Sequence, residues 1–224
     1  METRKYYEAY EDRYQVAHAA GIRWFGDAVS PIVGQILEKY GIRKTDKLLE
    51  LGCGEGRDAI PLLEAGFDLL ATDISSAAIT HCRKQLPHKV ERFALLNCVA
   101  GSLAQKFDFL YAVAVVHMLV EDEDRDGFYR FIGAHLEENG LALICSMGDG
   151  SMQMQSDVTK AFTLQPRQCG EKTLMVAGTS CRMVTQAQFA EEMQRNGLQI
   201  LEMGQTCIPE QFPEMMYAVV KRNA

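Results

Sequence analysis

The sequence predicts an α/β fold, an open and mostly parallel sheet with helices on both faces. Three observations carry that reading. Apolar runs of strand length alternate with amphipathic stretches of helix length, the pattern of strands buried on both sides. From Leu48 to Gly56 the chain reads LLELGCGEG, a buried strand running into a glycine-rich turn. The next apolar run, DLLATD, ends in a carboxylate, Asp73. A length of 224 residues suits one domain over 1–224, with a helical N-terminal cap over 1–43 and an insertion or lid over 149–184.

Within the cap, Tyr7, Tyr10 and Tyr14 recur at helical spacing, followed by Trp24 and Phe25. Two readings stand: a helix whose aromatics are simply buried, or a cap closing over a ligand with Trp24 as its apolar wall. Ser30-Pro31 starts a helix, Ser30 as cap and Pro31 in the first turn, with Gly41 after its end. A strand over 47–51 leads to the glycine turn and a helix from about Arg57 to Ala65. Pro61 is tolerated there because the first turn has no internal N–H partners to lose. Then come a strand over 68–73, a helix over 75–86 halted by Pro87, a strand over 90–97 and a strand over 107–116. The acidic stretch 121–127 opens a helix through Leu136, and LALICSMG supplies the fifth strand. The polar segment 149–184 breaks the rhythm, as functional insertions do. Thr185 and Gln188 form a capping box, and two last strands, LQILEMGQT and MMYAVVKR, bring the count to seven.

Composition narrows the partners. A net charge of -7 argues against a nucleic-acid backbone, which is held by clustered Lys and Arg. The seven cysteines are odd in number and lack any CxxC pair, so a reduced, cytoplasmic protein is expected. The N-terminus has no apolar signal core, and no run approaches membrane-span length. No His/Cys/Asp grouping has metal spacing along the sequence.

The chemistry concentrates at the glycine turn. A helix N-terminus offers unpaired N–H groups, and glycines at 52, 54 and 56 let a ligand approach the backbone. Glu50 and Asp73 lie at strand ends, where open α/β sheets bind ligands, and Asp73 is placed to accept hydrogen bonds from vicinal ribose hydroxyls. A dinucleotide would call for G-x-G-x-x-G, whereas here the third glycine comes one position early and Arg57 takes its place. Glu50 would repel a pyrophosphate but attract an ammonium or sulfonium.

ELGCGEG, the carboxylate ending the second strand, Asn97-Cys98 and FDFLYAVAVVHML together resemble the class I S-adenosylmethionine-dependent methyltransferases, over roughly Lys44 to Met147. The resemblance implies a Rossmann-like seven-stranded sheet with an antiparallel last strand. It also implies S-adenosyl-L-methionine as cofactor and S-adenosyl-L-homocysteine as product. Gly52, Cys53 and Gly54 would pass under the methionine part, Asp73 would bind the ribose, Ile74 would flank the adenine, and Asn97 and Cys98 would sit at its edge. Ala112 and Val113 would lie beneath the methyl group. Asn97 departs from the family's frequent Asp, with its amide oxygen left to meet the adenine amino group. Arg57 pairs either with the methionine carboxylate or with Asp58, Glu55 or solvent. His117, after the fourth strand, is either a general base or a pocket-wall histidine. GCGEGRDAI and ATDIS are similar to the small-molecule and tellurite-resistance-type branch. The expected activity is methyl transfer to an O, N or S nucleophile of a small molecule, from a monomer or weak dimer. A noncatalytic nucleotide-binding domain and an NAD-dependent oxidoreductase are the alternatives.

Overall fold

In the computed structural model, which describes residues 4–24, 26, 28–169, 172–209 and 211–223, strand β1 (Lys47–Leu51) is buried over its last four residues. Phe25 lies outside the described residues. β1 pairs in parallel with β2 (Asp68–Asp73) on one side and β4 (Phe107–Val113) on the other; β3 (Phe93–Leu95) follows β2, and β5 (Leu136–Met147) follows β4. The last strand, β11 (Phe212–Arg222), runs antiparallel to both β5 and β10 (Leu198–Ile208). The seven-stranded order is β10-β11-β5-β4-β1-β2-β3. The fold class, an α/β Rossmann-like sheet with its last strand antiparallel, is therefore the one the sequence predicts.

The pleat divides the apolar residues between two cores. Leu49, Leu51, Leu110 and Ile144 join the core beneath α5 (Asp122–His135) and α6 (Gln186–Arg195). Leu48, Phe109, Tyr111 and Leu143 join the core under α2 (Pro31–Lys39), α3 (Ala59–Glu64) and α4 (Ser76–Gln85). The capping box at Thr185 forms with both hydrogen bonds in place. Ser30 occupies the N-cap of α2, but its side chain does not cap it: its N–H and Oγ both donate to Asp58, at 2.7 Å each. A buried carboxylate is the stronger acceptor and takes the hydroxyl away from the helix.

Two strand predictions were too long. Residues 87–92 form a 3-10 turn before the short edge strand β3, since Pro87 cannot enter a ladder. β4 stops at Val113 because Ala114 turns the chain at φ 60°.

Helix α1 (Ala9–Ala19) is tied down on several sides. Glu11 accepts from Ser75 Oγ (2.6 Å), Ser76 Oγ (2.8 Å) and Ala77 N–H (3.1 Å), which sets a carboxylate at the N-terminus of α4. Arg13, 5% exposed, donates to the carbonyls of Ala177 and Gly178. The segment 149–184 is ordered into two ribbons, β6 (Met154–Gln155) with β9 (Arg182–Met183) and β7 (Leu164–Cys169) with β8 (Lys172–Ala177). The second ribbon backs α1 through Arg13.

Among the described residues no helix is long and apolar enough to cross a membrane. All seven cysteines are free thiols.

The Glu11 carboxyl is held below its usual range: burial raises it, and the hydrogen bonds from Ser75, Ala77 and Ser76 overcome that. A depressed carboxyl contributes stability above its unfolded pKa and loses it as pH falls through the folded one. Glu11→Ala should therefore cost about 1–3 kcal/mol at neutral pH, the scale of hydrogen bonds to a charged group. Urea unfolding should show the difference from wild type shrinking below about pH 4.

Candidate cofactor and active site

A cavity of about 940 Å³, counted with its open mouth, lies at the carboxyl ends of β1, β2 and β4. Glu50, Gly52, Cys53, Gly54 and Arg57 form one side of its wall, and Asp73 and Ile74 the next. Asn97, Cys98 and Val113 complete the predicted set that lines it. The turn itself needs glycine. Gly52 and Gly54 have φ of 71° and 53°, and a Cβ on Gly54 would lie 2.8 Å from the Tyr14 hydroxyl.

Asp73 is 7% exposed and fully engaged with backbone. Its Oδ2 accepts the Gly54 N–H and its Oδ1 the Ser75 N–H, each at 2.8 Å. The Ile74 N–H also acts on this carboxylate, and of its roughly four acceptor sites at least one stays open to a ribose hydroxyl. Burial raises the carboxyl to about 6, against the lowering effect of those N–H groups. Glu50, 3% exposed, receives the Tyr111 hydroxyl at 3.0 Å. Burial first and Asp58 second push it well above the carboxylate range, so a cation arriving in the cavity would ionise it.

Arg57 takes one of the partners considered for it, Asp58 at 3.4 Å, and also donates to Gln211 at 3.0 Å. Its Nε is buried with no partner among the described residues. An orphaned guanidinium donor suits a carboxylate, a buried acid suits an ammonium, and Asp73 suits a ribose. The donor set thus fits the amino-acid and nucleoside parts of S-adenosylmethionine.

Four expectations are corrected. Trp24 is not among the residues lining the cavity; its indole stacks 4.5 Å from the Arg13 guanidinium, and its backbone N–H donates to Glu55 at 2.9 Å. Ala112 is fully buried in the core, because the pleat points it to the opposite face from Val113. Ala114 lines the cavity in its place, in a left-handed conformation of the kind that concentrates at functional sites. The Asn97 amide oxygen accepts from Val99 N–H (2.9 Å) and Ala100 N–H (3.3 Å), so it shapes its own loop. His117, 4% exposed, lies outside the wall with its ring edge on Phe212; burial and Arg125 lower it to about 3, and Nδ1 has no partner among the described residues. A general base must reach the acceptor's proton, and the buried ring is not among the residues lining the cavity.

Other wall residues were not among the predicted cofactor contacts. Tyr7, Tyr10 and Tyr14 from the 3-10 turn at 6–8 and α1 form a roof, and Val115, Met118 and Phe212 add apolar surface. The tyrosine spacing was a visible signal. Phe212 gave none, since the β10–β11 hairpin brings it from the far end of the chain. Among the described residues, nothing from 149–184 lines the cavity.

Residues 49–142 match a family model described as a methyltransferase domain. Curated relatives include Hemagglutinin 1 of Eikenella corrodens, 32% identical over 108 residues (46% of this chain and 35% of that protein). Another is the probable S-adenosyl-L-methionine-dependent methyltransferase TehB of Haemophilus influenzae, 26% identical over 118 residues (52% and 41%). The chain spans less than half the length of either. The fold is shared with the CcbJ methyltransferase from Streptomyces caelestis (TM-score 0.69, 18% identity, 96% of this chain and 99% of that one). It is shared also with the glycopeptide N-methyltransferase MtfA complexed with S-adenosyl-L-methionine (TM-score 0.62, 19% identity, 85% and 87%). The sheet and the glycine turn have the fold of the class I S-adenosylmethionine-dependent methyltransferases, and the matched domain runs from β1 into β5. TehB is described as a probable S-adenosyl-L-methionine-dependent methyltransferase, and MtfA holds that molecule in its structure.

Ionised Asp73 is less favourable in the fold than in the unfolded chain, so folding stability declines as pH rises from the unfolded value toward about 6. Ribose hydroxyls donate best to the ionised form, so ligand binding has the opposite sign and strengthens through the same range. S-adenosylhomocysteine affinity, followed by calorimetry from about pH 8 to about pH 5, should be level and then fall by up to ~tenfold per unit. Asp73→Asn should remove that limb; a limb unchanged in the variant would assign it to Glu50.

Proposed function

We propose that the chain transfers the S-adenosylmethionine methyl group to a small-molecule acceptor. The observation that carries this reading is the convergence of Glu50, Arg57 and Asp73 on one cavity whose remaining wall is largely aromatic and aliphatic. The cofactor supplies a methyl group already activated by its sulfonium, so that orientation is the main task left to the protein. Glu50 and Arg57 would hold the ammonium and carboxylate of the amino-acid part, and Asp73 the ribose. Tyr7, Tyr10 and Tyr14 cover the opposite side, exclude water and offer an apolar bed to an incoming nucleophile. Among the described lining residues there is no imidazole, which suits an acceptor that needs positioning more than deprotonation.

The acceptor class is supported by MtfA, whose fold is shared and which is named a glycopeptide N-methyltransferase. The acidic balance of the chain, -7, speaks against a nucleic-acid acceptor. Seven free thiols fit the reducing cytoplasm.

Calorimetry with S-adenosylmethionine, S-adenosylhomocysteine and NAD should show binding of the two adenosyl ligands. Micromolar affinity for NAD alone would overturn the reading. Asp73→Ala should weaken adenosyl-ligand binding by about 1–3 kcal/mol, the cost of lost hydrogen bonds to a charged group. Radiolabelled methyl transfer to a panel of small amines, thiols and phenols should find an acceptor; label entering only protein or nucleic acid would contradict the small-molecule assignment.

A further inference from the structure

Beside the glycine turn, three side chains from separate elements converge. His18 comes from the last turn of α1, Glu55 from the turn and His81 from α4. One donor atom from each lies within 4.8 Å of the others. His18 Nε2 stands 2.8 Å from Glu55 Oε1. The two imidazoles face each other with ring centroids 4.7 Å apart and planes inclined by 24°. His81 Nε2 is buried and has no hydrogen-bond partner among the described residues. The Glu55 side chain is fully buried and that of His18 is 20% exposed, so the group is enclosed but reachable from solvent.

We propose that His18, Glu55 and His81 bind a divalent transition metal of the zinc type, which clamps the N-terminal helix to the cofactor turn. Two imidazoles and a carboxylate are the donor set such ions take, with a fourth position left for water. The spacing agrees. Imidazoles on one tetrahedral zinc, with bonds of about 2.0–2.1 Å, place their ring centroids about 5 Å apart. Arg23 and Lys84 place positive charge near His81 and Glu55 offsets it, so affinity rests on the imidazole–metal and carboxylate–metal bonds. On binding, the metal replaces the hydrogen bond between His18 Nε2 and Glu55 Oε1, and the neutral His18 ring carries its proton on Nδ1. Glu55 Oε1 retains the Trp24 N–H on its other lone pair. The consequence lies in the cap: α1 carries the tyrosine roof, and the metal would fix its C-terminal end to a residue of the cavity wall. This assignment does not depend on the acceptor.

Cobalt(II) is the probe, with zinc as competitor, on the full chain. One cobalt per chain should bind with d–d bands and no thiolate charge-transfer band, and zinc should displace it and raise Tm. His81→Gln and His18→Gln should each weaken cobalt binding by at least about tenfold, the loss that even outer-shell changes produce. His88→Gln, at an exposed histidine, should leave it unchanged. Circular dichroism identifies a variant that fails to fold, and the other then decides. Absence of binding, thiolate bands from the free cysteines, or affinity indifferent to both substitutions would overturn the proposal.

Discussion

The Asp73 carboxylate, taken out of water at the end of β2, joins two chain segments that the sheet alone only places side by side. Its oxygens accept the N–H of Gly54, from the turn after β1, and the N–H of Ser75, from the start of α4. Removing it would leave buried donors unsatisfied in two segments at once, which is why the glycine turn depends on it. The cost of burying that charge shows in its raised pKa of about 6. A ligand with two hydroxyls offers further donors to the same group, so the feature that holds the turn together also prepares it for a ribose.

Around this junction the N-terminal helix acts as a second constraint. Glu11 binds the start of α4, Arg13 binds the β7–β8 ribbon, and His18 reaches Glu55 on the turn. These ties leave Tyr7, Tyr10 and Tyr14 over the cavity. The segment 149–184 serves the site at one remove. It supports α1 through Arg13, and the roof belongs to α1 and the 3-10 turn before it.

Much of this was legible in the sequence for identifiable reasons. The glycines, Glu50 and Arg57 are close together along the chain, so local turn chemistry places them on one wall, and Asp73 joins them from the end of the adjacent parallel strand. The capping box at Thr185 is local in the same sense. Ala112 was misassigned because strand periodicity puts neighbours on opposite faces, and the strand end itself was blurred by the left-handed Ala114. Trp24 was chosen for its rarity, yet Arg13 holds its ring away from the cavity. His117 follows the right strand but is enclosed beside Phe212, whose approach depends on a hairpin distant in sequence. The tyrosines fit both a buried face and a ligand-facing one, since the same helical spacing serves either, and Tyr7 and Tyr14 turn out to do both.

The most direct test of the central claim is a crystal structure of the chain with S-adenosylhomocysteine. The ribose hydroxyls should lie within hydrogen-bond reach of Asp73 while its bonds from Gly54 and Ser75 persist, with the ligand's amino-acid end between Glu50 and Arg57. Ligand density in another cavity, or a ribose that leaves Asp73 with its backbone partners alone, would contradict the account.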